Sequence, residues 1–214
     1  MQGKEFSVGA LVKAGWRSMK DHVWFFIGFL ILYLLIPAIP YGVAGWYYGY
    51  TFESQLPPIA HISVAIVHAV LAITVIMGLL KVALALSVNE KVKWGYLFNC
   101  FPKVITFFLA ELFYLIIVAV GLVLLVFPGV IWGVRYVFFG FFIVDKGVGP
   151  IEALKLSAAA TKGAKWDVFA LILVTYVIEL IGLLCLVVGL FAAIPTVVIA
   201  RAIAYRKLTS QLPS

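Results

Sequence analysis

Five charged residues lie inside long apolar stretches of this chain, where a charge is costly and marks a functional or structural site. Their depths in the predicted spans pair Lys81 with Glu111 and Arg135 with Glu179, so the sequence predicts two ion pairs between helices. Such pairs either fix the register of neighbouring helices or form a polar pathway for an ion, a proton or a polar substrate. Arg201 is close enough to the inner end of its span for its side chain to reach the membrane surface.

These residues must be positioned by membrane helices, because the chain is too apolar for a soluble domain. Of the 214 residues, 65% are hydrophobic and 12% are charged, whereas soluble domains have about 25% charged residues. The apolar runs are continuous rather than alternating, which favours helices over a β-barrel. We therefore predict an all-α integral membrane protein that forms a single domain over residues 1–214. Its six spans are predicted at about 24–50, 59–88, 104–126, 129–144, 166–187 and 190–205.

Lysine and arginine residues, which give a net charge of +7, predict the orientation of these spans. They precede the first span, follow the sixth, and occupy the connections between spans two and three and between spans four and five. The other three connections contain none. The positive-inside rule then places both termini in the cytoplasm and directs three hairpins outward. Because the basic residues flank spans, we expect anionic lipid headgroups rather than nucleic acid as their partners.

Two segments on the cytoplasmic side, 6–23 and 150–163, have the apolar spacing and the basic residues of short amphipathic helices. We expect such helices to lie in the headgroup plane, with their apolar faces toward lipid. They either sense lipid or dock a partner, or else they only anchor the hairpin that follows each of them. The candidate headgroup contacts are Lys13, Arg17, Lys20, Lys155 and Lys162.

The chain also resembles itself at these two segments. Residues 13–24 and 155–166 align without a gap, and residues 96–107 fit the same pattern more loosely. One interpretation is three repeated units, each a short cytoplasmic segment followed by a two-span hairpin. The other is coincidence, because lysine and tryptophan are common near the start of a span. The matched positions are Lys13 and Lys155, Lys20 and Lys162, and Trp24 and Trp166.

Residues for catalysis or metal binding are not evident. The sequence has no Walker loop, GxSxG elbow, HExxH motif or dinucleotide fingerprint, and its connections are too short to form a soluble catalytic domain. His61 and His68 share a helical face but fall short of the three or four ligands that zinc needs. We therefore expect no enzymatic activity, no cofactor and no bound metal.

Three stretches, 127–145, 149–157 and 161–163, combine a proline-glycine turn, an arginine-aromatic span, an acidic exit, an E-A-L-x-x-S segment and a Lys-Gly pair. In this pattern the C-terminal half resembles a poorly characterised group of bacterial inner-membrane proteins. The group includes the YciC-like proteins and the membrane domain fused to some glycerophosphodiester phosphodiesterases. The N-terminal half agrees with the group only in layout. The resemblance implies a multi-span helical bundle in a bacterial cytoplasmic membrane. It carries over no catalytic residue, because the phosphodiesterase chemistry belongs to a separate soluble domain.

Together these patterns predict a non-enzymatic membrane protein with a structural or accessory role. Such a protein would organise lipid, a second copy of itself or another membrane protein. The alternative is a small transporter or channel component whose pathway is formed by the intramembrane charges. A lipid-modifying enzyme is a third option, which the absence of a recognisable motif disfavours. The residues of the alternative pathway are Lys81, Glu111, Arg135 and Glu179.

Overall fold

The computed structural model describes residues 6–48, 58–97, 99–124 and 126–211, and all regular structure in these ranges is helical. The prediction of an all-α chain is confirmed. Two short 3₁₀ helices, Trp94–Leu97 and Phe101–Lys103, precede the fourth α-helix. In chain order the α-helices are α1 (Val8–Asp21), α2 (Val23–Tyr48), α3 (Pro58–Leu86), α4 (Val104–Leu124), α5 (Val126–Tyr136), α6 (Phe139–Lys146), α7 (Pro150–Ala160), α8 (Lys165–Leu184) and α9 (Leu186–Thr209).

Five helical stretches among the described residues are long and apolar enough to cross a membrane. The α2 helix adds a further apolar helix of 26 residues, which runs through both Pro37 and Pro40. The end of the first predicted span and the connection around Glu53 lie outside the described residues. The arrangement as six spans and three outward hairpins stays a prediction. The five stretches are His61–Leu86, Trp94–Leu124, Phe127–Lys146, Lys165–Leu184 and Gly189–Thr209.

Three short segments precede long apolar helices and pack on other parts of the bundle. Helix α1 packs against α9, the 3₁₀ segment Trp94–Leu97 packs against α3, and α7 packs against α4, α5 and α6. The α3 helix in turn contacts both α6 and α9. The 3₁₀ segment and α7 directly follow α3 and α6 in the chain, so the repeat stays a prediction.

One end of the bundle is closed by aromatic residues of α6 around Tyr205 of α9. The Tyr205 ring centroid lies 4.9 Å from that of Phe142 and 5.5 Å from that of Phe141. A buried tyrosine ring still needs a hydrogen-bond partner for its hydroxyl. Tyr205 donates to Asp145 Oδ2 at 2.9 Å, and Arg206 forms an ion pair with Asp145 at 3.0 Å. These contacts join the last turns of α6 and α9.

The two segments predicted to lie on the membrane surface are helical, but their apolar faces do not point toward lipid. In α1 the face formed by Leu11, Gly15 and Met19 is buried against α9. A methyl group on Gly15 would overlap the carbonyl oxygen of Thr196, so the missing side chain is what allows this close approach. In α7 the corresponding face is buried against α4, α5 and α6. Protein, rather than the acyl chains of the bilayer, covers both faces.

Candidate functional site

The fourth predicted span, 129–144, is not continuous. It is broken at Val137 and Phe138, between α5 and α6. A break in an apolar span leaves backbone N–H and C=O groups without helical partners, which is costly where no water can replace them. The sequence did not predict this break, because neither residue is a proline or a glycine. The backbone groups at the break must find partners elsewhere in the protein.

Two hydroxyl residues, Ser157 on α7 and Thr161 directly after its last residue, supply these partners, and we call them the hydroxyl pair. Ser157 Oγ donates to the carbonyl oxygen of Arg135 at 3.0 Å and accepts from the N–H of Phe138 at 3.1 Å. Thr161 Oγ1 lies 3.2 Å from the same Arg135 carbonyl oxygen. Both hydroxyl residues are fully buried. Their spacing of four residues on one helical face is the only sequence pattern that could have predicted this polar contact.

Beside the hydroxyl pair, helices α4, α5 and α7 enclose a groove of about 580 Å³, which we call the basic groove. Three cationic side chains line it: Arg135 from α5, Lys155 from α7, and Lys162 from the turn after α7. No carboxylate of the described residues lies within 4.0 Å of these three cations. The rest of the lining is apolar or aromatic: Phe113, Ile116, Ile117, Tyr136, Ile151, Leu154, Ala158 and Ala159.

A second polar cluster joins α8 to α9. Arg201 Nη2 lies 3.5 Å from Glu179 Oε1 and donates to Thr175 Oγ1 at 2.8 Å. The guanidinium carbon also lies 5.6 Å from the ring centroid of Tyr176. Glu179 is therefore paired with Arg201, and the predicted pair of Glu179 with Arg135 is wrong. The reach of the Arg201 side chain to the inner membrane surface stays a prediction.

Glu179 pairs with Arg201 because side chains on two antiparallel helices point in opposite directions. The register of α8 and α9 is set by the close contact of Gly182 with Gly189 and Ala193. Side chains on a helix tilt toward its N-terminus. Arg201 therefore points toward the turn between α8 and α9, Glu179 points away from that turn, and their ends meet. Arg135 is on α5, where its exposed side chain lines the basic groove.

The other predicted pair, Lys81 with Glu111, is also wrong. Lys81 Nζ lies 6.0 Å from the ring centroid of Tyr96 and makes no ion pair with a described residue. The 3₁₀ segment packs on the Lys81-bearing helix, with the Leu97 backbone directly against Gly78, and so fills space beside α3. Glu111 is half-buried on α4 and forms no ion pair with any described residue.

The basic residues of α1 (Lys13, Arg17 and Lys20), which we call the basic stripe, lie on the helix face away from α9. All three are exposed. The Lys20 Nζ atom lies 5.8 Å from the ring centroid of Trp16, whose side chain is also exposed. The basic stripe and the basic groove are thus two of the places where the described residues present accessible cations. The cations of the first form an open stripe on a helix, and those of the second line a groove.

Within the described ranges, no three histidine, cysteine, aspartate or glutamate side chains are grouped so that they could hold a metal ion. The polar residues at these sites form ion pairs and hydrogen bonds, and their cations can contact anions. Comparison with protein-family models, with curated protein sequences and with solved structures finds no match for this chain. Its function must be argued from the geometry of these sites.

Proposed function

We propose that this chain is a non-enzymatic, multi-span protein of the bacterial cytoplasmic membrane with a structural or accessory role. The observation that carries the proposal is the bonding of Arg201, whose guanidinium meets Glu179, Thr175 and the Tyr176 ring on a single neighbouring helix. A charge neutralised within one hairpin fixes the register of its two helices. A transport site would instead have to exchange its partners with a moving ion or substrate.

The proposed orientation places both termini in the cytoplasm, where the exposed cations meet anionic headgroups. Trp24 and Trp166 support it, because they occupy the same position at the starts of α2 and α8 and are 82% and 83% exposed. Exposed tryptophans at the ends of apolar helices are typical of the membrane interface. The proposed partners are anionic lipid and either a second copy of the chain or another membrane protein.

A charge exchange tests the structural role of the Arg201 pair. Arg201→Glu and Glu179→Arg alone should each sharply lower the yield of monodisperse protein extracted from membranes, because each leaves like charges together in an apolar span. The double variant should recover much of that yield. The matched control exchanges Glu179 with Arg135, and that double variant should recover nothing. Equal recovery in both exchanges would refute a specific brace.

The alternative, a small transporter or channel component, is favoured by one observation. Glu111 is a half-buried carboxylate in an apolar span without an ion-pair partner among the described residues. One turn further along α4, Tyr114 donates a hydrogen bond to the carbonyl oxygen of Gly133. Polar groups of α4 and α5 are thus neighbours.

Reconstitution separates these functions. Purified protein in vesicles that contain an entrapped ion- or pH-sensitive dye should show no flux above that of empty vesicles and no turnover of the vesicle lipids. A flux that Glu111→Gln abolishes would replace the accessory role with the alternative. Turnover of a lipid would make the protein an enzyme.

The orientation has its own test. Compartment reporters attached at each terminus should both report the cytoplasm, and a reporter inserted between Phe127 and Pro128 should report the exterior. A terminus on the exterior would overturn the proposed membrane topology and, with it, the proposed contacts of the cations with the inner leaflet.

A further inference from the structure

We infer that the basic groove is a binding site for one anionic phospholipid, whose phosphate lies among Arg135, Lys155 and Lys162. Its acyl chain lies along the apolar wall of α4. The inference rests on the proposed accessory role at the bilayer and names the ligand of that role. It differs from a general attraction to negative membranes because it assigns a defined site between three helices.

The charge of the groove is the first argument. Its lining holds three cations and no acidic residue. The carboxylate nearest in sequence, Glu152 on α7, lies beyond ion-pair distance of Lys155. Like charges that line one groove without a counter-ion repel one another, and an anion bound between them has the opposite sign of interaction energy. A phosphate group accepts hydrogen bonds from a guanidinium and from ammonium groups at once.

The position of Arg135 is the second argument. Its carbonyl oxygen accepts from Ser157 Oγ on α7 and lies 3.2 Å from Thr161 Oγ1 in the turn that follows α7. Lys155 is on the same helix as Ser157, and Lys162 follows Thr161 in that turn. The hydroxyl pair therefore fixes the backbone that carries Arg135 relative to α7. Since the cations belong to a framework that is already ordered, binding an anion costs little further ordering of the backbone. The break between α5 and α6 thus places Arg135, a residue of an apolar span, beside α7.

The walls of the groove decide what kind of anion it fits. On one side are Phe113, Ile116 and Ile117 of α4, and on the other Ile151 and Ala159 of α7. The volume is in the range of about 300–1,000 Å³ that is usual for small-molecule sites. Free phosphate would use the cations and leave these walls uncovered, whereas a phospholipid uses both. We therefore assign a phospholipid rather than a free phosphate.

Two other surfaces of the molecule lack this combination. The groove between α2, α3 and α9, of about 300 Å³, is lined by Phe26, Phe191 and other residues that include no cation. The basic stripe on α1 has cations without an adjoining groove of apolar walls. The stripe therefore provides a matched control, since it carries the same number of positive charges as the basic groove.

The experiment counts lipids on the purified full chain by native mass spectrometry during titration with phosphatidylglycerol or with phosphatidylcholine. We expect one tightly held phosphatidylglycerol and no tightly held phosphatidylcholine. The triple variant Arg135→Gln, Lys155→Gln, Lys162→Gln should weaken that binding about 100-fold, since each cation contributes about fivefold. The control Lys13→Gln, Arg17→Gln, Lys20→Gln should stay within about twofold. Equal losses in the two triple variants, or equal binding of the two lipids, would overturn the site.

A second variant keeps all the charges and fills the groove. Ala159→Trp should displace the bound lipid because Ala159 is exposed on the α7 wall, and folding is checked by size-exclusion chromatography. Displacement of phosphatidylglycerol by inorganic phosphate would show a free-phosphate site and overturn the assignment, as would full lipid binding by Ala159→Trp. Failure here leaves the flux and lipid-turnover results unchanged, so it is distinct from failure of the proposed function.

Discussion

Helices α1 and α7 precede long spans in the same way and carry lysines at matched positions, yet they are attached to the bundle by different chemistry. At the same offset, Gly15 of α1 corresponds to Ser157 of α7. Gly15 brings the α1 backbone against the intact helix α9, whereas Ser157 donates to and accepts from the broken backbone between α5 and α6. The other buried pairs at this offset are Leu11 with Ala153 and Met19 with Thr161.

The difference follows from the partner surface. Helix α9 is continuous through Pro195, so the close approach of α1 at Thr196 requires the absence of a side chain rather than a polar partner. A broken helix has unpaired groups that need donors and acceptors, so α7 carries hydroxyls where α1 carries glycine and methionine. The same spacing of buried residues thus forms two different interfaces. Substitutions at the matched positions should lower stability for different reasons.

The largest effect is expected at Gly15. Gly15→Ala places a methyl group against the Thr196 carbonyl oxygen, which is backbone and cannot move aside, so stability should fall by about 3 kcal/mol. Gly9→Ala in the same helix meets no atom within 4 Å and should gain up to about 1 kcal/mol from helix propensity. Denaturation of both variants in detergent micelles measures the two changes. A neutral Gly15→Ala would mean that α1 does not pack on α9.

Much of this fold was accessible from the sequence, because apolar runs and flanking lysines are local signals. The segment predicted at 6–23 is α1, Val8–Asp21, and the segment at 150–163 contains α7, Pro150–Ala160. The sequence did not show which surface covers the apolar faces of these two helices. An apolar face has the same spacing whether it meets lipid or protein, and only the fold brings Thr196 to Gly15.

The ion pairs show a second limit. Depth along a span is uncertain by several residues, and long side chains extend that range, so equal depth did not identify the partner of Glu179. The partner of Glu179 is instead determined by the adjacency of α8 and α9 together with the tilt of their side chains. The break at Val137 and Phe138 left no trace in composition. Only the spacing of Ser157 and Thr161 pointed to an interface there.

The next effect is expected at Ser157. Ser157→Ala removes the acceptor for the Phe138 N–H and one donor to the Arg135 carbonyl oxygen, so stability should fall by about 1–3 kcal/mol. Ser87→Ala is the control, because the Ser87 hydroxyl bonds only the carbonyl oxygen of Leu84 within its own turn. It should change stability by less than about 0.5 kcal/mol. Equal changes in unfolding free energy would remove the hydroxyl pair as a specific contact.

The ends of the two helices also differ. The turn after α7 contains Gly163 at φ 91°, a left-handed conformation, whereas α1 ends at His22 with φ −121°. Gly163→Ala should therefore cost about 1–2 kcal/mol. Gly95→Ala is the control, since Gly95 is not among the positive-φ residues and has no atom within 4 Å of a new methyl group. Thermal-shift measurements compare the melting temperatures of the two variants. Equal decreases would contradict the proposed difference between the helix ends.

The smallest effects on stability should come from the matched lysines. Their substitution tests ligand binding separately from the packing of α1 and α7 on the bundle. Lys13 and Lys155 are both exposed and make no ion pair among the described residues, so Lys13→Gln and Lys155→Gln should each change stability by less than about 0.5 kcal/mol. Lys155→Gln should nevertheless weaken retention of phosphatidylglycerol about fivefold, because only Lys155 has Arg135 and a groove beside it. Lys13→Gln should leave retention unchanged. If the two variants lost lipid equally, the matched lysines would be equivalent surface charges, and the difference between α1 and α7 would be confined to their buried faces.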